Sequence, residues 1–296
     1  MKKSLWLAIL LVATIGIVLM ISGFMFGAET NLYIDRGGLH MGSSDLEHIV
    51  ENNIGEINEI EIDMSSGNIE ILPAGDYSFE IYRRDNSSIS YSFSGGKLYV
   101  KQNLTLSWRL FDFGLGHKTE KVIVYLPESA LLRSADLKIS SGRIDASSID
   151  CQNLNLKISS GTAHINNVIS NEATAKVSSG NVKISGIEAK NLQIEITSGS
   201  LKADDVKSQG FSARVSSGTV NLSGKFLGDS DVRVTSGTVK MEIDGAEKDY
   251  RRIFSVSSGS VYVNGKRNPG SDSNTGANNS LNVKVSSGTV RVNFSR

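Results

Sequence analysis

One dipeptide recurs along this chain at a fixed interval. Ser-Gly pairs place glycines at Gly142, Gly161, Gly180, Gly199, Gly218 and Gly237, each 19 residues after the last, and two more at Gly259 and Gly288 after intervals of 22 and 29. So regular a period marks a solenoid, in which each repeat stacks on its neighbour. Apolar residues keep fixed offsets from the glycine. Three before it stand Ile139, Ile158, Val177, Ile196, Val215, Val234, Val256 and Val285; two after it stand Ile144, Ala163, Val182, Leu201, Val220, Val239, Val261 and Val290. Positions five before and four after are mostly apolar as well, so each repeat holds two strands of period 2 with one face inward. A unit of this length cannot bury that face alone, and a four-stranded propeller blade needs about 40 residues or more. Stacked parallel coils satisfy both limits. The predicted fold is all-β, a parallel β-solenoid with 19-residue coils whose corners are the Ser-Gly pairs. Glycine is expected there for a positive φ, with the preceding Ser or Thr bonding nearby backbone.

Composition agrees: 29 Gly against 3 Pro suits short strands and tight turns. Upstream, "IDMSSGNIEIL" around Gly67 fits the coil template in full and "YSFSGGKLYV" around Gly96 fits it loosely. Residues 54–136 read as the irregular start of the solenoid, with 106–118 as a long loop, and residues 137–296 as the regular array. Asn264–Ser280 reads as a surface loop, and "VKVSSGTVRVNFSR" as an uncapped last coil that offers its edge to a partner or a second copy.

Ahead of the solenoid, residues 5–26 carry no charge, long enough at about 1.5 Å per residue to span the roughly 30 Å of bilayer hydrocarbon. The run exceeds a cleavable signal core, and a cut after Ala28 would place Phe26 at −3, which favours an uncleaved single-pass anchor. Lys2 and Lys3, within residues 1–4, stay cytoplasmic by the positive-inside rule. Residues 27–53 then form a polar stalk, and the solenoid lies outside the cell membrane.

Signal anchor, irregular strands ending in "VIVYLP", then repeated "SSG" coils: in this combination the chain resembles the adhesin-like family DUF4097, whose membrane-anchored members accompany envelope-stress systems. The resemblance covers nearly everything after residue 50 and implies a β-solenoid ectodomain at the cell envelope. It carries no known catalytic residue.

Chemistry is sparse. His40, His48, His117 and His164 are scattered, the single cysteine is Cys151, and neither metal-ligand spacing nor a phosphate or dinucleotide loop occurs. No enzyme activity, cofactor or metal is expected. The formal net charge is zero, with 31 residues of each sign, which gives no global field for nucleic acid. One constellation stands out. Four residues before each hinge the outward series runs Lys138, Lys157, Lys176, Glu195, Arg214, Arg233, Ser255 and Lys284; three after, it includes Lys183, Lys202 and Lys240. Stacking would align these into a basic stripe suited to an anionic cell-wall polymer or lipid headgroups. Its bland counterpart is a solubilising face that blunts edge pairing. The expected role is non-catalytic binding of envelope components or protein partners; the alternatives are a polysaccharide-modifying β-helix enzyme, which would need clustered carboxylates, and a structural spacer.

Overall fold

The computed structural model describes residues 11–19, 22, 31–35, 38–41, 46–84, 88–103, 108–112, 119–271 and 276–295. Two compact units emerge, residues 1–46 with 104–118, and residues 47–103 with 119–296. In the first, residues 11–19 are helical, and Asn31–Asp35 pairs antiparallel with both Gly38–Met41 and Trp108–Asp112. Strands therefore occur in the segments read as stalk and as loop. No helix of the described residues is long and apolar enough to cross a membrane. The rest of the 5–26 run lies largely outside the described residues.

The second unit is the solenoid. Period-2 patterning becomes four long, bent strands, Thr162–Val177, Asn181–Ile196, Ser200–Val215 and Thr219–Val234, preceded by Leu132–Ile158. Each pairs in parallel with the next, at an offset of 19 residues over most of its length. Burial alternates as the sequence predicts, and the inward columns merge into one core.

At the Ser-Gly corner both serine N–H groups donate to the coil beneath: Ser159 to the Ile139 carbonyl at 3.0 Å and Ser160 to the Ser140 carbonyl at 2.7 Å. The reason for glycine differs from the expected one. Positive φ occurs at Gly67 (+111°) and Gly142 (+137°) alone among the hinges. The others are needed because a Cβ on each would strike the carbonyl of the hinge glycine stacked against it; on Gly161 it would lie 2.7 Å from the Gly142 oxygen. Left-handed backbone falls six residues later, on Ser148 (+57°), Asn167 (+53°), Gly186 (+81°) and Asp205 (+54°), which make a second corner. Asn, Asp and Gly tolerate that conformation best.

The stacking order departs from chain order at one end. Arg233 pairs with Lys284, and Lys284 with Ser255; likewise Lys240 pairs with Arg291, and Arg291 with Tyr262. The coil of Gly288 is thus inserted between those of Gly237 and Gly259, which corrects the expectation of an exposed C-terminal coil. The outermost coil, Tyr250–Val263, is covered by its own following loop. Asn264 and Gly265, with φ of +47° and +81°, turn a hairpin that pairs Tyr262 with Arg267. Asn268 then accepts from the Val261 N–H at 2.8 Å, and Ser271 from the Phe254 N–H at 2.9 Å.

At the other end Glu59–Ala74 is flanked by Lys97–Gln102 and Lys121–Pro127. Gly95 and Gly96 (φ +59° and +77°) form the two-residue turn between Ile89–Ser94 and Lys97–Gln102, not a coil corner. Glu47–Glu51, within the segment read as stalk, joins this end of the sheet through Ser78–Arg83.

Candidate functional site

Parallel register turns the sequence offset into a spatial column. On the arm before the corner, Lys157, Lys176, Glu195, Arg214, Arg233, Lys284 and Ser255 are successive paired neighbours. Lys138, one coil earlier, sits against Asp63. On the arm after it, Asp145, His164, Lys183, Lys202, Asn221, Lys240, Arg291 and Tyr262 follow one another. Neighbours within each column stand about 4.8 Å apart. The nine basic residues singled out in the sequence thus flank one ridge, whose exposed crest is the Ser or Thr pair ahead of each stacked glycine, Gly142, Gly161, Gly180, Gly199, Gly218, Gly237, Gly288 and Gly259.

The crest carries unengaged hydroxyls. From the coil of Gly161 onward both hinge side chains are exposed, for example Ser159 and Ser160, Ser178 and Ser179, Ser216 and Ser217. Among the described residues these hydroxyls make no hydrogen bond, contrary to the backbone-bonding role expected of them. Their backbone N–H groups already satisfy the corner, which leaves the hydroxyls to solvent or ligand.

The cations are not equally free. Lys202 pairs with Asp204 at 2.9 Å, Arg233 with Asp231 at 2.8 Å and Lys240 with Glu242 at 2.9 Å, each two residues along its own strand and so on the same face. Lys138 reaches Asp63 at 2.7 Å. Glu195, inside the column itself, binds Lys176 at 3.0 Å and lies 3.9 Å from Arg214. The hydrogen bond from Lys176 holds its carboxyl below the usual range, against the opposing effect of burial and with help from Gln193. Lys202 and Ser223 do the same for Asp204, and Lys240 and Asn293 for Glu242. Among the described residues Lys157, Lys183 and Lys284 have no carboxylate at ion-pair distance. Arg291 stacks its guanidinium 5.0 Å from the Tyr262 ring centre. Reading each outward column separately missed these acids; the signal was present, in "KAD", "DVR" and "KME", where alternation puts both charges on one face.

The second corner has the opposite character. Asp150, Glu188 and Asp205 line a groove of about 380 Å³ there, with Lys207 drawn to Glu188 at 3.8 Å. Among the described residues no group of three His, Cys, Asp or Glu side chains could hold a metal. His164 faces Asp145 at 3.5 Å, while His48 lies far off in sequence against Glu80 at 3.0 Å. Cys151 is buried, and desolvation raises its thiol to about 11. His117 lies outside the described residues, and His40 falls in a strand of the first unit.

Known proteins match this architecture. A candidate adhesin from Bacteroides fragilis superposes with a TM-score of 0.51 at 17% identity, covering 84% of this chain and 98% of its own. A candidate lipid-binding protein from Parabacteroides distasonis superposes with a TM-score of 0.54 at 15% identity, covering 86% and 98%. At these identities the likeness is one of fold. No curated protein matches the sequence. The model of the Toastrack DUF4097 family matches residues 57–293, nearly the whole solenoid, and the chain belongs to that family.

Proposed function

We propose that this chain is a non-catalytic protein of the cell envelope, anchored by residues 5–26 with its solenoid outside, and that the Ser-Ser-Gly ridge binds linear polyanions. The observation that carries this reading is the register: cations on both arms of one corner, repeating at about 4.8 Å beside hydroxyls that no internal bond uses. A phosphate or carboxylate lying on the crest would meet ammonium or guanidinium groups on either side and hydroxyl donors beneath. Such charge-assisted bonds are stronger than neutral ones. A convex ridge of evenly spaced charge suits an extended polymer, or the headgroups of a surface, better than a small molecule, which needs a concavity. The uncharged leader and Lys2 with Lys3 support the orientation.

The test is co-sedimentation of residues 29–296 with purified cell-wall polymer and, separately, with phosphatidylglycerol vesicles across a salt series. Binding that weakens as salt rises is expected, and the triple substitution Lys157→Gln, Lys183→Gln, Lys284→Gln should weaken it at least about tenfold. Retention of full binding by the triple variant would overturn the proposal. The two targets separate polymer from lipid as the source of the anionic groups.

A further inference from the structure

The inserted C-terminal coil is the feature that no role described so far requires. Its strands, Asn279–Val285 and Thr289–Phe294, have a neighbour on each side: Thr219–Val234 and Thr238–Ile243 on one, Tyr250–Val256 and Ser260–Val263 on the other. Its corner donates downward from Ser286 to Val234 and from Ser287 to Thr235, and accepts from Ser257 and Ser258 above. Leu281, Val283, Val285, Val290 and Val292 are all at most 2% exposed. Side chains pin it too, Ser280 on Asp229 at 2.6 Å and Asn293 on Glu242 at 3.0 Å.

Chain order places this coil after the one it separates from Gly237. The coil of Gly259 precedes the inserted coil in sequence, and it carries the same template: Val256, Val261 and Val263 hold the offsets of Val285, Val290 and Val292. Until the last residues are available, the ladder exposed by the Gly237 coil and that of the Gly259 coil match each other. The C-terminal coil has to enter between two edges that can also zip together. An edge ladder of this kind accepts any strand of the right pattern. The strand that fits is present on every copy of the chain. Residues 264–278, rich in Gly, Asn and Ser, join it to the rest and reach at most about 50 Å when extended.

We propose that the C-terminal coil is exchangeable, so that the slot between the Gly237 and Gly259 coils of one chain takes the C-terminal coil of a second copy. The inserted coil's own contacts are kept in the exchanged form, and only the Asn268 and Ser271 contacts of the linker are given up where it extends, which makes exchange a low-cost route to association. The partner is a second copy because the strand fitted to both ladders, with Ser280 on Asp229 and Asn293 on Glu242, is carried by every copy of the chain.

The test uses two full-length chains, co-expressed under different tags, one carrying Lys240→Cys and the other Arg291→Cys. These positions are direct partners in the register, at a spacing of about 4.8 Å that a disulfide can bridge. Mild oxidation is expected to link the two tags, with a yield that rises with expression level and exceeds by about fivefold or more that of Lys240→Cys paired with Glu188→Cys at the second corner. A chain with both Lys240→Cys and Arg291→Cys, expressed alone at low level, should close internally. Internal closure without any excess of the linked pair would overturn exchange. Failure of internal closure would overturn the insertion on which it rests.

Discussion

Glu195 interrupts the ridge, and replacing it tests whether the column acts as a continuous surface. In register it lies between Lys176 and Arg214, and its carboxylate engages both while accepting from Gln193 at 2.6 Å. A polyanion running along the column brings anionic groups to within about 5 Å of that carboxylate, where each repulsion in a water-like dielectric is about 1 kcal/mol. Two such groups are affected, and Lys176 and Arg214 are at the same time held back from the ligand. Glu195→Gln removes the charge and keeps a shape that can still bond Gln193. The expected result is a rise of roughly tenfold or more in affinity for long-chain polyphosphate at low salt. The plot of log K against log salt should steepen by about one to two, because each added ion contact contributes about 0.7 to 0.9. Fluorescence anisotropy with labelled polyphosphate measures both quantities. Glu188→Gln makes the same change in net charge at the second corner, and should move neither. Wild-type binding with an unchanged slope in Glu195→Gln, or an equal effect from Glu188→Gln, would refute the idea of a contiguous ridge.

Gly199→Ala should destabilise the solenoid by about 3 kcal/mol, since the new methyl would meet the Gly180 carbonyl and lie 2.8 Å from Val177 Cγ1; Gly55→Ala, with open space around it, should leave the melting temperature unchanged in calorimetry. Glu80 gives a pH prediction. Burial raises its pKa, but hydrogen bonds from Tyr82, His48 and Tyr125 outweigh that and hold it below the ordinary carboxylate range. A depressed pKa contributes stability that is fully present above the unfolded value of about 4.3 and is lost as pH falls through the folded value. Urea denaturation from pH 7 to pH 3 should therefore show a smaller acid loss in Glu80→Gln than in wild type, and equal losses would remove the carboxylate from the account.

The coil was legible because period 19 and period 2 act together, and only a stacked parallel sheet satisfies both. The order of the last coils was not. Gly259 and Gly288 carry interchangeable templates, so a pattern of inward residues cannot say which of them meets Gly237. The purpose of the hinge glycines was hidden for a different reason. Left-handed backbone and close stacking both forbid a Cβ, and a sequence records only the prohibition. The second corner left no signature, since Ser148, Asn167, Gly186 and Asp205 share a backbone conformation without sharing a side chain.

Close stacking and the crowding of charge have one origin here, the in-register parallel ladder. The stacked glycines bring successive coils into contact at the corner, and the same spacing forces the cations of each arm to within about 4.8 Å of their neighbours. Acids at alternate positions could have been spread evenly along both columns, as Glu195 shows for one coil. Instead most sit beside the columns, on Asp204, Asp231 and Glu242, where they relieve repulsion between lysines and arginines while leaving the cations themselves exposed at the crest. Lys157 and Lys284 lack even that relief, and Lys183 feels only the longer-range attraction of Asp204. On the proposed reading, contact with an anion would relieve this repulsion, and the salt dependence of binding measures that relief.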